Sequence, residues 1–189
     1  CVLADSGKFK APTWTIGLNY KVNPDTLLYV TSRRGFRSGG FNLDGATPLA
    51  DRTFGKEIVT DLELGAKTAF DLGSAAISAN VAVYRQWYDD IQLQQTVPTP
   101  TGPLTLNKNA GEAEIDGIEF ETTARFGDLT LRGHLNYIDF DYTKFDPGVV
   151  LPILPTVPKF SYGVGANYVL PLPESRGELS ISINYDWQK

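Results

Sequence analysis

The sequence predicts an all-β protein, an antiparallel up-and-down meander of eight long strands. Three observations predict it. Apolar and polar residues alternate with a period of two through eight segments, as in strands whose two faces meet different surroundings. The connections between those segments run short, long, short, long along the whole chain. The composition, with 18 glycines, 12 prolines, 12% aromatic residues and no methionine, favours strands and turns over helices.

The first strand starts at Pro12, with Trp14, Ile16, Leu18, Tyr20 and Val22 on one face and Thr13, Thr15, Gly17, Asn19 and Lys21 on the other. After the turn at Asn23 to Asp25 comes TLLYVTSRR, whose facing is ambiguous because Leu27 and Tyr29 compete with Leu28 and Val30. A long polar connection follows from Gly35 to about Lys56. The third strand sets Ile58, Leu62, Leu64 and Phe70 against Asp61, Glu63, Gly65 and Lys67. DLGS then turns the chain into AAISANVAVYRQWYDDIQLQQ, where Ile77, Ala79, Val81 and Val83 oppose Ser78, Asn80 and Tyr84. The next stretch, TVPTPTGPLTLNKNAG, carries three prolines and is expected to be irregular for part of its length.

The fifth strand, IDGIEFETTARF, opposes Ile118, Phe120 and Phe126 to Glu119, Glu121 and Arg125. Gly127 and Asp128 make a tight turn into LTLRGHLNY, with Leu129, Leu131 and Leu135 against Arg132, His134 and Asn136. A third long connection spans roughly Thr143 to Pro158. FSYGVGANYVL, the short connection PLPESRG and ELSISINYDW complete the eight.

Alternating connection lengths are the rhythm of an outer-membrane-type β-barrel, in which every second connection is a tight periplasmic turn and the others are extracellular loops. Soluble sandwiches also alternate apolar and polar residues, but have no reason to alternate loop length. Aromatics near the strand ends of the apolar face (Trp14, Tyr20, Phe70, Phe126, Phe160, Tyr168, Tyr185, Trp187) fit an interfacial girdle. The opposite face suits a wet lumen: Glu63, Lys67, Glu119, Glu121, Arg125, Arg132 and His134 are its expected charged or titratable members. No apolar run reaches the roughly 18 residues of a spanning helix. A net charge of −5 argues against a nucleic-acid partner. The opening CVLADSGKFK has neither an initiator methionine nor an apolar leader, and is expected to be an excised start. Cys1, the single cysteine, allows no disulfide within the chain.

The stretch RRGFRSGGFN invites a phosphate-cradling reading, yet it matches neither GxGxxG nor GxxxxGK[ST]. Arg33, Arg34 and Arg37 are instead expected at the rim of a barrel, placed to attract an anionic small-molecule ligand. His134 is the only histidine, and the chain contains no GxSxG elbow. The carboxylates at Asp89, Asp90, Glu112, Glu114 and Asp116 lack EF-hand spacing. No catalytic residue, metal site or cofactor is assigned.

Taken in order, LLYVTSRRGFRSGGFN, EIVTDLELGAKTAF, NVAVYRQWYDDIQLQQ and NAGEAEIDGIEFETTARF resemble the barrel domain of TonB-dependent outer-membrane receptors, over Thr13 to Trp187. The resemblance implies a partial receptor barrel over residues 1–189 without a plug domain, located in the outer membrane of a Gram-negative bacterium. It implies energised uptake of a ferric siderophore or similar scarce nutrient. The implied partners are a small metal chelate, outer-membrane lipid, and TonB reached only through parts absent from this chain. Such barrels have about 22 strands around a plugged lumen. The residues leave two other readings open: a self-contained eight-stranded barrel binding a small ligand, and a soluble β-rich hydrolase using His134.

Overall fold

The computed structural model describes residues 6–100, 102–145, 158–173 and 177–189. Eight strands form one antiparallel sheet in sequence order: β1 (Trp14–Asn23), β2 (Thr26–Arg37), β5 (Glu57–Leu72), β6 (Ala75–Asp89), β9 (Gly111–Phe126), β10 (Leu129–Phe145), β11 (Phe160–Leu170) and β12 (Leu179–Gln188). Two small ribbons occupy the long connections: β3 (Gly40–Phe41) with β4 (Thr53–Phe54), and β7 (Gln92–Thr99) with β8 (Gly102–Asn109). A 3₁₀ turn covers Leu49–Asp51. Cys1 and most of the connection expected from Thr143 to Pro158 lie outside the described residues, as do residues 174–176 of PLPESRG.

The short turns form where the sequence supplies their backbone chemistry. Gly73 (φ 64°) and Gly127 (φ 57°) each take the first of two turn positions, in the left-handed region that a side chain disfavours. Pairing is continuous above these turns from Leu72 opposite Ala75 up to Ile58 opposite Asp89, and from Phe126 opposite Leu129 up to Ala113 opposite Tyr142, beyond which a bulge at Thr143 shifts the register. Register settles the ambiguous second strand. Leu28 and Val30 oppose Tyr20 and Leu18, so they share the apolar face, and Tyr29 points to the polar one.

That apolar face is uncovered by any other part of the described chain. Leu18 is 69% exposed, Leu64 50% and Ile183 70%. A soluble fold would bury these side chains in one core; here they form a continuous outward surface, the arrangement of a lipid-facing wall. On β6 and β9 the surface changes. One register row beyond Leu64, Val83 and Ile118, the outward row reads Leu62, Arg85 and Asp116, the last two joined by two hydrogen bonds of 2.6 Å. Strands of 15 to 17 residues such as β5, β6, β9 and β10 exceed the roughly 9–11 that a tilted strand needs to cross a bilayer. Their surplus continues past this charged row on the side of the long connections.

The sheet is open. Among the described residues β1 pairs only with β2 and β12 only with β11, so the eight strands do not close into a barrel of their own.

Two sequence expectations change. The fourth strand was expected to run on through Gln95, but β6 stops at Asp89, because Asp90 adopts φ 57° and breaks the ladder. The proline-bearing stretch, expected to be partly irregular, is mostly the β7–β8 ribbon, with Pro98 opposite Pro103. A two-stranded ribbon is all edge, and proline is tolerated where the missing N–H would have faced outward.

The two faces generate a direct prediction. Val81→Lys places a charge on the apolar face and is expected to destabilise the folded protein by about 2–4 kcal/mol, whereas Ser78→Lys on the opposite face costs about 1 kcal/mol or less. Urea titration of the protein refolded in bilayers reads both.

Candidate functional site

The polar face is ordered by its register rows. All seven residues expected there, Glu63, Lys67, Glu119, Glu121, Arg125, Arg132 and His134, lie on it, spread over β5, β9 and β10. They are not brought together at one point. Asn80 stands between Lys67 and Glu121 in one row, which continues to His134 and Gly163.

Three rings on this face lie over glycines of the next strand: Tyr29 over Gly65, Tyr84 over Gly117 and His134 over Gly163. A Cβ at any of the three glycines would collide with the ring, so the missing side chain is what lets the aromatic lie flat. His134 Nε2 is 3.7 Å from Asp186 Oδ1, with both side chains substantially exposed. The shallow depression around them is lined by Glu121, Arg132, Asn184 and Asp186 and by no serine among the described residues. A nucleophile–histidine–carboxylate geometry is not formed there.

The three arginines of the rim separate. Arg33 lies on the polar face, where its Nε donates to Asp61 Oδ2 at 2.8 Å and its Nη2 to Glu63. Asp61 also accepts the Arg33 backbone N–H at 2.9 Å, and Tyr29 Oη donates to Glu63 Oε1 at 2.7 Å. The Arg33 charge is thus held by two carboxylates of the neighbouring strand. Arg34 takes the opposite face, its guanidinium carbon 5.1 Å from the Trp14 ring centre. Arg37, at the end of β2 opposite Glu57, is exposed on the same side as Arg33. Successive residues of a strand point to opposite faces, so Arg34 cannot converge with Arg33 and Arg37.

Above the sheet the long connections pack on one another, and apart from Ala75, beside a short turn at the other end, the buried side chains of the described residues are there and at the neighbouring strand ends. Leu106 is 1% exposed and sits opposite buried Gln95, and Thr47, Asn42 and Ala110 are buried as well. Two asparagines substitute for peptide groups. The Asn42 side chain donates to Asn107 O at 2.9 Å and accepts from Asn107 N at 3.0 Å, and also donates to Asp51 O. Asn109 does the same to Gly55, donating to its carbonyl and accepting from its N–H. Gln92 bridges Ser38 O and Gly55 O at 2.9 Å each, and Lys108 pairs with Asp51 at 2.8 Å. At the opposite end of this side, Asp139, 2.8 Å from Lys159, holds that ammonium above its ordinary pKa range. In the sequence the only trace of this side-chain zipper is the asparagines of GGFNLDG and LNKNAG.

A model of the TonB-dependent receptor-like β-barrel matches residues 4–189. The chain belongs to the TonB-dependent receptor β-barrel family. Among solved structures, this receptor barrel chain is similar to the ferric yersiniabactin uptake receptor FyuA from Yersinia pestis, at 22% identity and a TM-score of 0.69 over 91% of the chain and 25% of FyuA. It is similar to the ferric preacinetobactin receptor BauA from Acinetobacter baumannii, at 20% identity and TM-score 0.64, over 93% of the chain and 25% of BauA. It is also similar to the alcaligin outer-membrane receptor FauA from Bordetella pertussis, at 20% and 0.60, over 93% of the chain and 29% of FauA. The chain thus spans between a quarter and a third of the length of these receptors. At this identity the likeness is one of fold, and it coincides with the open eight-stranded sheet.

Two predictions follow from the site's polar contacts in this receptor barrel. Asp61→Asn removes the carboxylate that holds Arg33 and is expected to cost about 1–3 kcal/mol in the same urea titration. Asn42→Ala is expected to leave the strand ladder intact while hydrogen exchange rises selectively over residues 42–52 and 105–109; uniform protection in the variant would show the zipper to be idle.

Proposed function

We propose that this chain is part of an outer-membrane TonB-dependent transporter that takes up a ferric siderophore or a similar scarce nutrient. The observation that carries the reading is the pairing of family membership with an open, outward-apolar sheet whose edges invite further strands. The fold likeness to receptors for ferric yersiniabactin, ferric preacinetobactin and alcaligin supports an iron-chelate ligand. In this reading the outward face meets outer-membrane lipid and the face bearing Glu63, Lys67, Glu119 and Glu121 lines the lumen. The long connections form part of the extracellular mouth. Energy enters through TonB, by segments outside residues 1–189.

Of the rim arginines, Arg37 is the one whose charge is left for an incoming anion, while Arg33 maintains the inner wall and Arg34 the outward boundary. The test is uptake of radiolabelled iron, from a panel of ferric siderophores, by TonB-competent cells whose only such receptor is the protein containing this chain. Uptake of at least one chelate that disappears when TonB is deleted is expected. Equal uptake with and without TonB, or none across the panel while the protein is present in the outer membrane, contradicts the proposal.

A further inference from the structure

Five cations on the long-connection side are neutralised by neighbouring carboxylates: Arg33 by Asp61 and Glu63, Arg85 by Asp116, Lys108 by Asp51, Lys144 by Glu112 and Lys159 by Asp139. Arg37 and a group of three lysines are not. Lys8, Lys10 and Lys56 line a cleft of about 410 Å³ with Phe9, Gly55, Asn109 and a single carboxylate, Asp90. Among the described residues none of the three lysines has a carboxylate within ion-pairing distance. In a chain of net charge −5, three ammonium groups against one carboxylate make a local positive field.

The cleft is built rather than incidental to floppy side chains. Its floor is the Asn109–Gly55 double contact, which joins two connections separated by more than fifty residues. Its lysine-bearing wall is fixed by Lys56 Nζ donating to Lys10 O at 2.9 Å. Phe9 anchors the same wall from behind, against Phe41 at 6.2 Å between ring centres and over Gly39, where a Cβ would strike its ring.

We infer that this cleft binds a soluble, multivalent oxyanion, a small molecule bearing two or more carboxylate or phosphate groups. Deepening the proposed function, on which it rests for the ligand's identity, this places the charge selection for a net-negative chelate on Lys8, Lys10 and Lys56. Ammonium groups on flexible stems recognise charge without imposing the planar geometry that arginine imposes. Binding is therefore expected to follow anion valence more than shape, to weaken steeply with salt, and to tolerate lysine-to-arginine exchange. A phosphorylated lipid headgroup offers the same chemistry from the membrane side, and the experiment separates the two sources.

The experiment is calorimetric titration of inorganic pyrophosphate into the intact detergent-solubilised protein that carries this chain, at low and at physiological salt. The wild type, the triple variant Lys8→Gln/Lys10→Gln/Lys56→Gln and the triple lysine-to-arginine variant are compared. The glutamine variant is expected to bind about tenfold more weakly or worse at low salt, with the arginine variant near wild type. Unchanged affinity in the glutamine variant overturns the site. A lysine-dependent response confined to bilayers of phosphorylated lipid, with no pyrophosphate binding, overturns the soluble-ligand assignment. Since pyrophosphate carries no iron, these outcomes are independent of iron uptake: normal TonB-dependent uptake beside unchanged pyrophosphate binding rejects the lysine site alone.

Discussion

A strand that crosses hydrocarbon has no water for its peptide groups, so each N–H and C=O must be paired by a neighbouring strand, at a cost of several kcal/mol for every group left unmade. The continuous ladder from β1 to β12 is the response to that requirement, and most other features follow from it. Once pairing sets the register, alternate side chains are committed to one face or the other, and a slip of one residue would exchange the two sets. Leu64, Val83, Ile118 and Leu131 are outward because Glu63, Ala82, Glu119 and Arg132 are inward. The same requirement makes β1 and β12 incomplete by themselves. Their free edges, with the quarter-to-third share of the solved receptors that the chain spans, are why the proposed function assigns it to a larger barrel.

A wall of this kind has no interior to pack, so its stiffness comes from contacts along the two surfaces. On the inner surface the tyrosines and histidine laid over glycines fill space that facing side chains would otherwise contest. The Arg33, Asp61, Glu63 and Tyr29 network ties β2 to β5 near the mouth. Exposed ion pairs such as Arg85 with Asp116 contribute little energy singly, about 1 kcal/mol or less, and serve better as the boundary where the apolar wall changes on β6 and β9. Protein-like burial occurs instead among the long connections, around Leu106, Thr47 and Asn42. In the proposed function that division suits a receptor, with a wall set by the membrane and connections shaped by a ligand.

The strands were legible because their signal is local and repeated. Eight segments with a period of two, joined by alternately short and long connections, leave few folds to choose from, and GFRSGGFN, the E-LG-K strand and the NAG strand narrow them to one family. The facing of β2 was not legible, since Leu27, Leu28, Tyr29 and Val30 satisfy either assignment until Tyr20 and Ala66 fix the register. The β7–β8 ribbon was obscured by prolines that a two-stranded edge tolerates. The rim arginines were read by proximity in sequence, which ignores the alternation that sends Arg34 away from Arg33. The asparagine zipper was out of reach for a different reason: Asn42 and Asn107 are 65 positions apart, and nothing local announces that a side-chain amide will take the place of a peptide.

The central claim is that one face of this sheet meets lipid and the other meets water. Its most direct test is a spin label moved one residue at a time from Ile77 to Tyr84 in the membrane-inserted protein, with Cys1 replaced, reading collision with oxygen against collision with a water-soluble nickel chelate. The account predicts strict alternation, oxygen favoured at Ile77, Ala79, Val81 and Val83 and the nickel chelate at Ser78, Asn80, Ala82 and Tyr84. Equal access to the nickel chelate at all eight positions, or protection from both probes at the odd ones, would contradict it.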